Sequence, residues 1–122
     1  MTKQTLEGAL QSYGHEALLL TVGESGPHTC NVSIKLADRT IECIPSKTAT
    51  QNIYREPNVS LIWPALEKGG YAIIANGVTQ LAADPAGFSK ARIKLTKSVL
   101  HRAGPRPDDR DGPCPSDCVE LL

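Results

Sequence analysis

The sequence predicts a mainly β protein with helices: a small antiparallel barrel with two decorating helices. Three observations lead there. His28 to Leu36 alternates, with Cys30, Val32, Ile34 and Leu36 on one face and Asn31, Ser33 and Lys35 on the other, the period of a half-buried strand. Other apolar runs, such as Ala17–Val22 and Val59–Trp63, are short and bounded by Gly or Pro. Six or so such strands accompany only two segments with a helical stripe.

The first helix spans Thr2 to Tyr13. Leu6, Ala9, Leu10 and Tyr13 share one face, Thr2 caps the start, and Gly14 ends it. Ala17–Val22 reads as a buried strand. Glu24-Ser25-Gly26-Pro27 is a turn by composition, and the alternating strand follows it. Ala37-Asp38-Arg39 turns the chain again into a third strand, Thr40–Ile44, so these three strands form an antiparallel meander. Thr48 to Arg55 forms a short helix that must stop before Pro57. Val59–Trp63 is a strand ended by Pro64. Lys68-Gly69-Gly70 is a loop, and Tyr71–Leu81 is the longest strand. Gly77 inside it marks a bulge or a close approach by another group. Asp84 to Leu100 reads as the second helix, with Asp84 as cap, Pro85 in the first turn, and Phe88, Ala91, Leu95 and Val99 facing inward. Lys90, Arg92, Lys94 and Lys97 then form its solvated face. Residues 103–116, rich in Gly, Pro, Asp and Arg, read as a mobile loop. Val119–Leu122 is a last short strand.

Bulk properties narrow the function. The chain has 122 residues, 40% hydrophobic and 21% charged, which suits one domain spanning 1–122. Thirteen basic and 13 acidic residues balance to a net charge of zero, so nucleic acid is not the expected partner. Three Tyr, one Trp and one Phe offer little for stacking on bases. No apolar run approaches the ~20 residues of a membrane-crossing helix. Lys3, Glu7 and Gln11 interrupt any signal-like segment. The expectation is a cytoplasmic protein without membrane contact, its four cysteines reduced. A core this small also favours dimerisation, because a shared interface extends it.

Few residues carry chemistry by themselves. Cys30 and Cys43 lie on the apolar parity of their strands and read as small hydrophobes. Cys114 and Cys118 are four residues apart in the tail, with only His101 near, a poor ligand count for zinc. No metal site is expected. His15, His28 and His101 are too scattered for a triad, and no Gly-x-Ser-x-Gly elbow exists. Trp63 reads as core or interface. Ser46-Lys47-Thr48 by itself reads as a polar loop capping a helix.

The order of elements resembles the pyridoxamine 5'-phosphate oxidase-like FMN-binding split barrel. The resemblance covers roughly Ala17 to Phe88. It rests on the first strand, the Gly-Pro-His turn, the strand with Asn31, the Asn52-Ile53-x-x-x-Pro57-x-Val59-Ser60-Leu61 segment and the glycine-led long strand. No one of these motifs is strong, and their order and spacing carry the likeness. It implies a split β-barrel that holds FMN at a homodimer interface. The implied cofactor residues are Asn31, Val32 and Ser33 at the ring edge and Pro45, Ser46, Lys47, Thr48 and Thr50 at the phosphate. There Lys47 supplies charge and Ser46, Thr48 and Thr50 supply hydroxyls. Lys35 shares the polar strand face with Asn31 and Ser33 and joins the list by parity. One departure stands out. Counting back from Asn52, the basic pair of many members falls on Thr48 and Ala49, and Lys47 meets the site only with the loop shifted by a residue. The implied activity is that of a small flavin-dependent oxidoreductase or electron carrier with a small-molecule substrate or redox partner, in which the cofactor performs the redox chemistry and no catalytic side chain is identified. Alternatives are a deazaflavin-dependent reductase, a haem binder, or a flavin-free ligand-binding barrel.

Overall fold

The structure, a computed structural model, describes residues 5–83, 88–105 and 116–121. The first helix, α1 (Leu6–Tyr13), is shorter than expected. Its cap is Thr5, whose hydroxyl accepts from the Gly8 N–H at 3.0 Å. Thr2, the expected cap, lies outside the described residues. Next come β1 (Glu16–Gly23), β2 (Gly26–Ser33), β3 (Lys35–Ala37) and β4 (Thr40–Cys43). The helix α2 (Lys47–Arg55) leads into β5 (Asn58–Trp63), β6 (Ala72–Ala83), β7 (Ser89–Pro105) and β8 (Ser116–Glu120).

The eight strands of the described residues form one antiparallel sheet, ordered β2-β1-β5-β6-β7-β4-β3, with β8 also on β7. The sheet is not closed by hydrogen bonds between its end strands. Those ends, β2 and β3, are nonetheless consecutive in the chain, with Ile34 alone between them. The expected meander is therefore present in a bent form. One extended segment pairs with β1 through its first half (Ala17↔Val32, Leu19↔Cys30) and with β4 through its second (Lys35↔Glu42). At the crossing, Ile34 donates its N–H to the His15 carbonyl at 2.7 Å and buries its side chain.

The core lies on the inner sheet face. Leu19 of β1, Ile41 of β4, Leu61 of β5, Ile73 of β6 and Ile93 of β7 are each fully buried, as strand parity dictates. Burying a side chain of this kind contributes about 1.5–3 kcal/mol. Trp63 is core, with its indole N–H donating to the Gly14 carbonyl at 3.2 Å, and Tyr13 donates to the Tyr71 carbonyl at 2.6 Å. These two bonds fasten α1 across the end of β5 and β6. The turn expected at 37–39 is realised with Asp38 at φ 60, a left-handed conformation that Asp tolerates.

One element differs in kind. The expected helix Asp84–Leu100 is instead strand β7 from Ser89 onward, and 84–87, with the expected cap Asp84, lie outside the described residues. Ala91 and Ile93 are buried while Arg92 and Lys94 are exposed, a period of two. The helical spacing of Phe88, Ala91, Leu95 and Val99 is a coincidence of the same residues, and Phe88 is 59% exposed. Pairing decides the matter. β7 runs against β6 from Ser89 to His101, and also against β4 and β8. β-Branched Ile93, Thr96 and Val99 suit that setting. Of the expected mobile loop, 106–115 lie outside the described residues, whereas 103–105 belong to β7 and Ser116 begins β8. The expected last strand is present as β8 and begins earlier than Val119.

Gly77 sits where the β6–β7 register shifts. A Cβ there would lie 2.5 Å from Ile93 Cγ2 and 2.7 Å from the Lys94 carbonyl oxygen. The absence of a side chain lets β7 cross close and keep pairing on both sides of the bulge. Gly77→Ala is expected to destabilise the protein by about 1–3 kcal/mol, the usual cost of overpacking a filled site. Thermal unfolding checks this; a melting temperature equal to that of the parent would show that the strands part freely at the bulge.

Candidate functional site

The crossing at Ile34 opens a groove on the sheet surface. As the chain leaves β1 and joins β4, Asn31, Val32 and Ser33 form one wall, and Glu42, Cys43 and Ile44 the other. Lys35 and Lys90 stand at its margin, and the space measures about 460 Å³. That volume lies within the ~300–1,000 Å³ of typical small-molecule sites. Asn31, Val32, Ser33 and Lys35, four of the residues expected from the sequence, thus come together.

The groove is electropositive on one side. Lys35 of β3 and Arg92 of β7 both pair directly with Glu42 of β4. Glu42 forms ion pairs with Lys90 at 3.6 Å and Arg92 at 3.5 Å. Three cations therefore surround one carboxylate. Lys90 and Arg92 are the residues that sequence reading placed on a solvated helix face. Their alternation with buried Ala91 and Ile93 was the signal that would have put them on a strand beside Glu42.

The 45–50 segment is arranged differently from the expectation. Ser46 is the N-cap of α2, its hydroxyl accepting from the Ala49 N–H at 3.2 Å. Thr50 donates its hydroxyl to the Ser46 carbonyl at 2.9 Å, so that proton is already committed. Pro45 is buried and Lys47 exposed in the first turn of α2. None of Pro45, Ser46, Lys47 and Thr50 lines the groove. Thr48 lines a second, more polar depression of about 420 Å³ between α2 and the β1–β2 hairpin, together with His28, Gln51 and Arg55. His28 Nδ1 is buried there without a hydrogen-bond partner.

Asn52 anchors α2. It is 8% exposed and donates from Nδ2 to Thr21 Oγ1 at 3.0 Å. Thr21 is wholly buried in β1, so each polar group answers the other. Gly23 makes room for the amide: a Cβ there would lie 2.9 Å from Asn52 Oδ1. The Asn52 of the expected helix-to-strand segment thus has a structural task. After α2, Glu56 accepts hydrogen bonds from the Asn58 side-chain amide and backbone N–H, which hold its carboxyl below the usual range.

Cys43 borders the groove, but its side chain is buried in the core. Burial pushes the thiol up from 9.0 to about 12, with the nearby Cys30 adding to the effect. It stays protonated at neutral pH and acts as a small apolar surface, as its strand parity suggests. Among the described residues, no group of three or more His, Cys, Asp or Glu side chains is placed to hold a metal ion. No described helix is long and apolar enough to cross a membrane.

Comparison with known proteins places the fold. No family model matches the sequence, and no curated protein matches it. Solved structures do. A putative pyridoxamine 5'-phosphate oxidase from Listeria innocua superposes with a TM-score of 0.64 at 16% identity, covering 75% of this chain and 92% of that one. A FAD-binding protein from Mesorhizobium loti gives 0.60 at 12% identity over 74% and 85%. The heme storage protein HutZ from Vibrio cholerae gives 0.60 at 12% identity over 76% and 92%. The chain has the fold of the pyridoxamine 5'-phosphate oxidase-like split barrels.

Two outcomes follow from this geometry. Asn52→Ala leaves the buried Thr21 hydroxyl without a partner, so it is expected to cost about 1–3 kcal/mol. Thr21→Val alone should cost a similar amount, and the double variant less than the sum. Urea unfolding of the four proteins measures the coupling; additive losses would mean the two groups act independently. For Cys43, the folded value lies above the unfolded one. Its contribution to stability is therefore full below about pH 9 and is lost as pH rises toward 12. Between pH 8 and pH 10 the parent protein is expected to lose roughly 1 kcal/mol more than Cys43→Ala loses. Equal losses would show that the thiol ionises freely in the folded state.

Proposed function

We propose that the groove at the β2–β3 crossing binds FMN and that the protein is a small flavin-dependent oxidoreductase or electron carrier working as a homodimer. The observation that carries this reading is the composition of the groove. One wall offers small polar side chains, Asn31 and Ser33. The other offers the exposed, apolar Ile44, and Lys35 and Lys90 also line the space. A flat heteroaromatic ring needs an apolar face and edge hydrogen bonds, and a phosphate monoester needs charge-assisted donors. The residues fit both requirements. Because Thr50 has committed its proton and Ser46 caps α2, Lys35 and Lys90 are the better candidates for the phosphate end, with Lys47 and Thr48 further away along α2.

When bound, the flavin supplies the hydride and electron transfer. The chain's own residues orient it. Asn31 and Ser33 present their side chains on the exposed face of β2 to the ring edge, Ile44 excludes water from one face, and Lys35, Glu42 and Lys90 set the local charge.

A second copy of the chain fits the outer sheet face. The register aligns Asn31, Leu18, Ile62, Ile74 and Val99 in one row across β2, β1, β5, β6 and β7. Four of these are apolar and on the side opposite the core. The row begins at a groove residue, so a partner covering it would border the cofactor. That arrangement supports a homodimer with the flavin at the interface.

The named neighbours also include a heme storage protein, which makes haem the second reading. Haem iron takes a His, Cys thiolate, Met or Tyr ligand. No described groove residue is His, Met or Tyr, and the Cys43 thiol is held protonated. The groove therefore favours a flavin.

The test is an absorption spectrum of the purified protein before and after FMN, followed by gel filtration. Flavin bands that travel with the protein at dimer size are the expected result, and a colourless protein that ignores FMN would refute the reading. Lys35→Ala is expected to weaken FMN about tenfold, the loss of one charge-assisted hydrogen bond. An unchanged affinity would move the phosphate away from Lys35.

A further inference from the structure

We infer that Cys118 is a nucleophilic thiol served by His101, forming a covalent modification site for hydroperoxides and other small electrophiles. It is separate from the groove and independent of any bound flavin.

The pair is built by the sheet. His101 of β7 and Cys118 of β8 are direct cross-strand partners. Directly opposed side chains on an antiparallel pair share a face and meet. Here His101 Nδ1 lies 3.2 Å from Cys118 Sγ. Parity puts both on the outer face: their neighbours Leu100 and Val119 turn inward, Leu100 being 7% exposed and Val119 packing against the core. Both His101 and Cys118 are half-buried. They lie in the row of Ala72, the first residue of β6, one row beyond Ile74 and Val99. That row is at the border of the face assigned to the second copy, so the sulfur is held in place yet reachable. β8 lies outside the main path of the sheet, with β7 its strand partner. Glu120, two residues along β8, and Lys97, on β7, are the charged residues that the register brings to the same face. Arg102 faces the other way, its guanidinium 4.7 Å from the centre of the Tyr71 ring.

A cysteine reacts as thiolate, and an adjacent imidazole is a common way to generate it. With Nε2 carrying the ring proton, Nδ1 accepts the Cys118 proton across the observed contact and leaves a thiolate–imidazolium pair. Toward a hydroperoxide ROOH the step balances as follows. The sulfur lone pair forms an S–O bond to the terminal peroxide oxygen, and the O–O bond breaks. The departing alkoxide takes the imidazolium proton and leaves as ROH. The product is the sulfenic acid, sulfur oxidised by two electrons and the peroxide reduced by two. The other described cysteines lack this arrangement. Cys43 is buried with its thiol pushed up to about 12, and Cys30 has no described histidine opposite it, its partner on β1 being Leu19.

The test uses the full chain with Cys114→Ser, so that the C-terminal peptide carries one thiol. Iodoacetamide alkylation at pH 6.5 is followed by peptide mass spectrometry, with N-acetylcysteine as the reference. Cys118 is expected to react about tenfold faster than the reference, the advantage of a raised thiolate fraction. His101→Gln should remove that advantage. His101→Asn keeps a hydrogen-bonding group near the sulfur but takes no proton, so it should remove it too. A purely structural contact would leave the Asn variant as reactive as the parent. Hydrogen peroxide followed by dimedone should label Cys118 and spare Cys43. A Cys118 rate no greater than the reference, or an unchanged rate in both His101 variants, would overturn the assignment. Should either variant fail to fold, the parent rate against N-acetylcysteine and the dimedone labelling still decide it.

Discussion

The structure depends on the crossing at Ile34. A single extended segment must pair with β1 first and β4 next, and these two strands lie far apart in the sheet order. The Ile34 N–H finds its partner in the His15 carbonyl, and the side chain fills the core. Without that bond the change of partner would leave a buried donor unanswered, at a cost of about 1–3 kcal/mol. The groove follows from the same constraint. Where the segment leaves β1 for β4, residues Asn31 to Lys35 and Glu42 to Ile44 line a depression. The site is thus a consequence of how the sheet ends meet.

A second constraint serves the first. For β4 to receive β3, it needs a partner on its other edge, and β7 provides it through Ala91 to Lys94. The same strand must continue to His101 beside β6 and then carry β8. A strand of 17 residues cannot remain flat over that length, because sheets twist. The bulge at Asn76/Gly77 absorbs the mismatch. Lys90 and Arg92 reach Glu42, and His101 reaches Cys118, because β7 stays extended and paired on both sides of that bulge.

Much of this was legible in the sequence. The alternation from His28 to Leu36 located β2 and β3 and put Asn31, Ser33 and Lys35 on one face. Pro57 and Pro64 bounded β5, and Gly77 announced the bulge. The break at Ile34 was not legible, since alternation continues unbroken through it and only the choice of partners changes. The segment Asp84–Leu100 misled because Ala91, Leu95 and Val99 satisfy a helical spacing while Ala91, Ile93 and Leu95 satisfy an extended one. Local pattern does not separate the two; pairing with three other strands does. The groove lysine Lys90 and the Cys118 contact were hidden by the same misreading, as both require β7 to be extended. The Thr50 hydroxyl pointed to a phosphate by residue type, yet the helix claimed its proton.

The balance of charge around Glu42 bears on what the groove can hold. Lys90 and Glu42 are each about one-third exposed and 3.6 Å apart; Arg92 is more exposed at 3.5 Å. Ion pairs this accessible contribute about 0–1 kcal/mol each, so none is a strong reason for the cluster to persist as it stands. An anion entering beside Lys35 would also meet Lys90, whose solvent-accessible pair with Glu42 is weak. A phosphate monoester, with up to two negative charges and several acceptor oxygens, offers more than one carboxylate does. Glu42 in turn keeps Arg92 neutralised, which confines the positive side of the groove to the Lys35–Lys90 margin. On the flavin reading proposed above, the Glu42 carboxylate limits the positive charge of the groove, which favours a monoester over a larger polyanion.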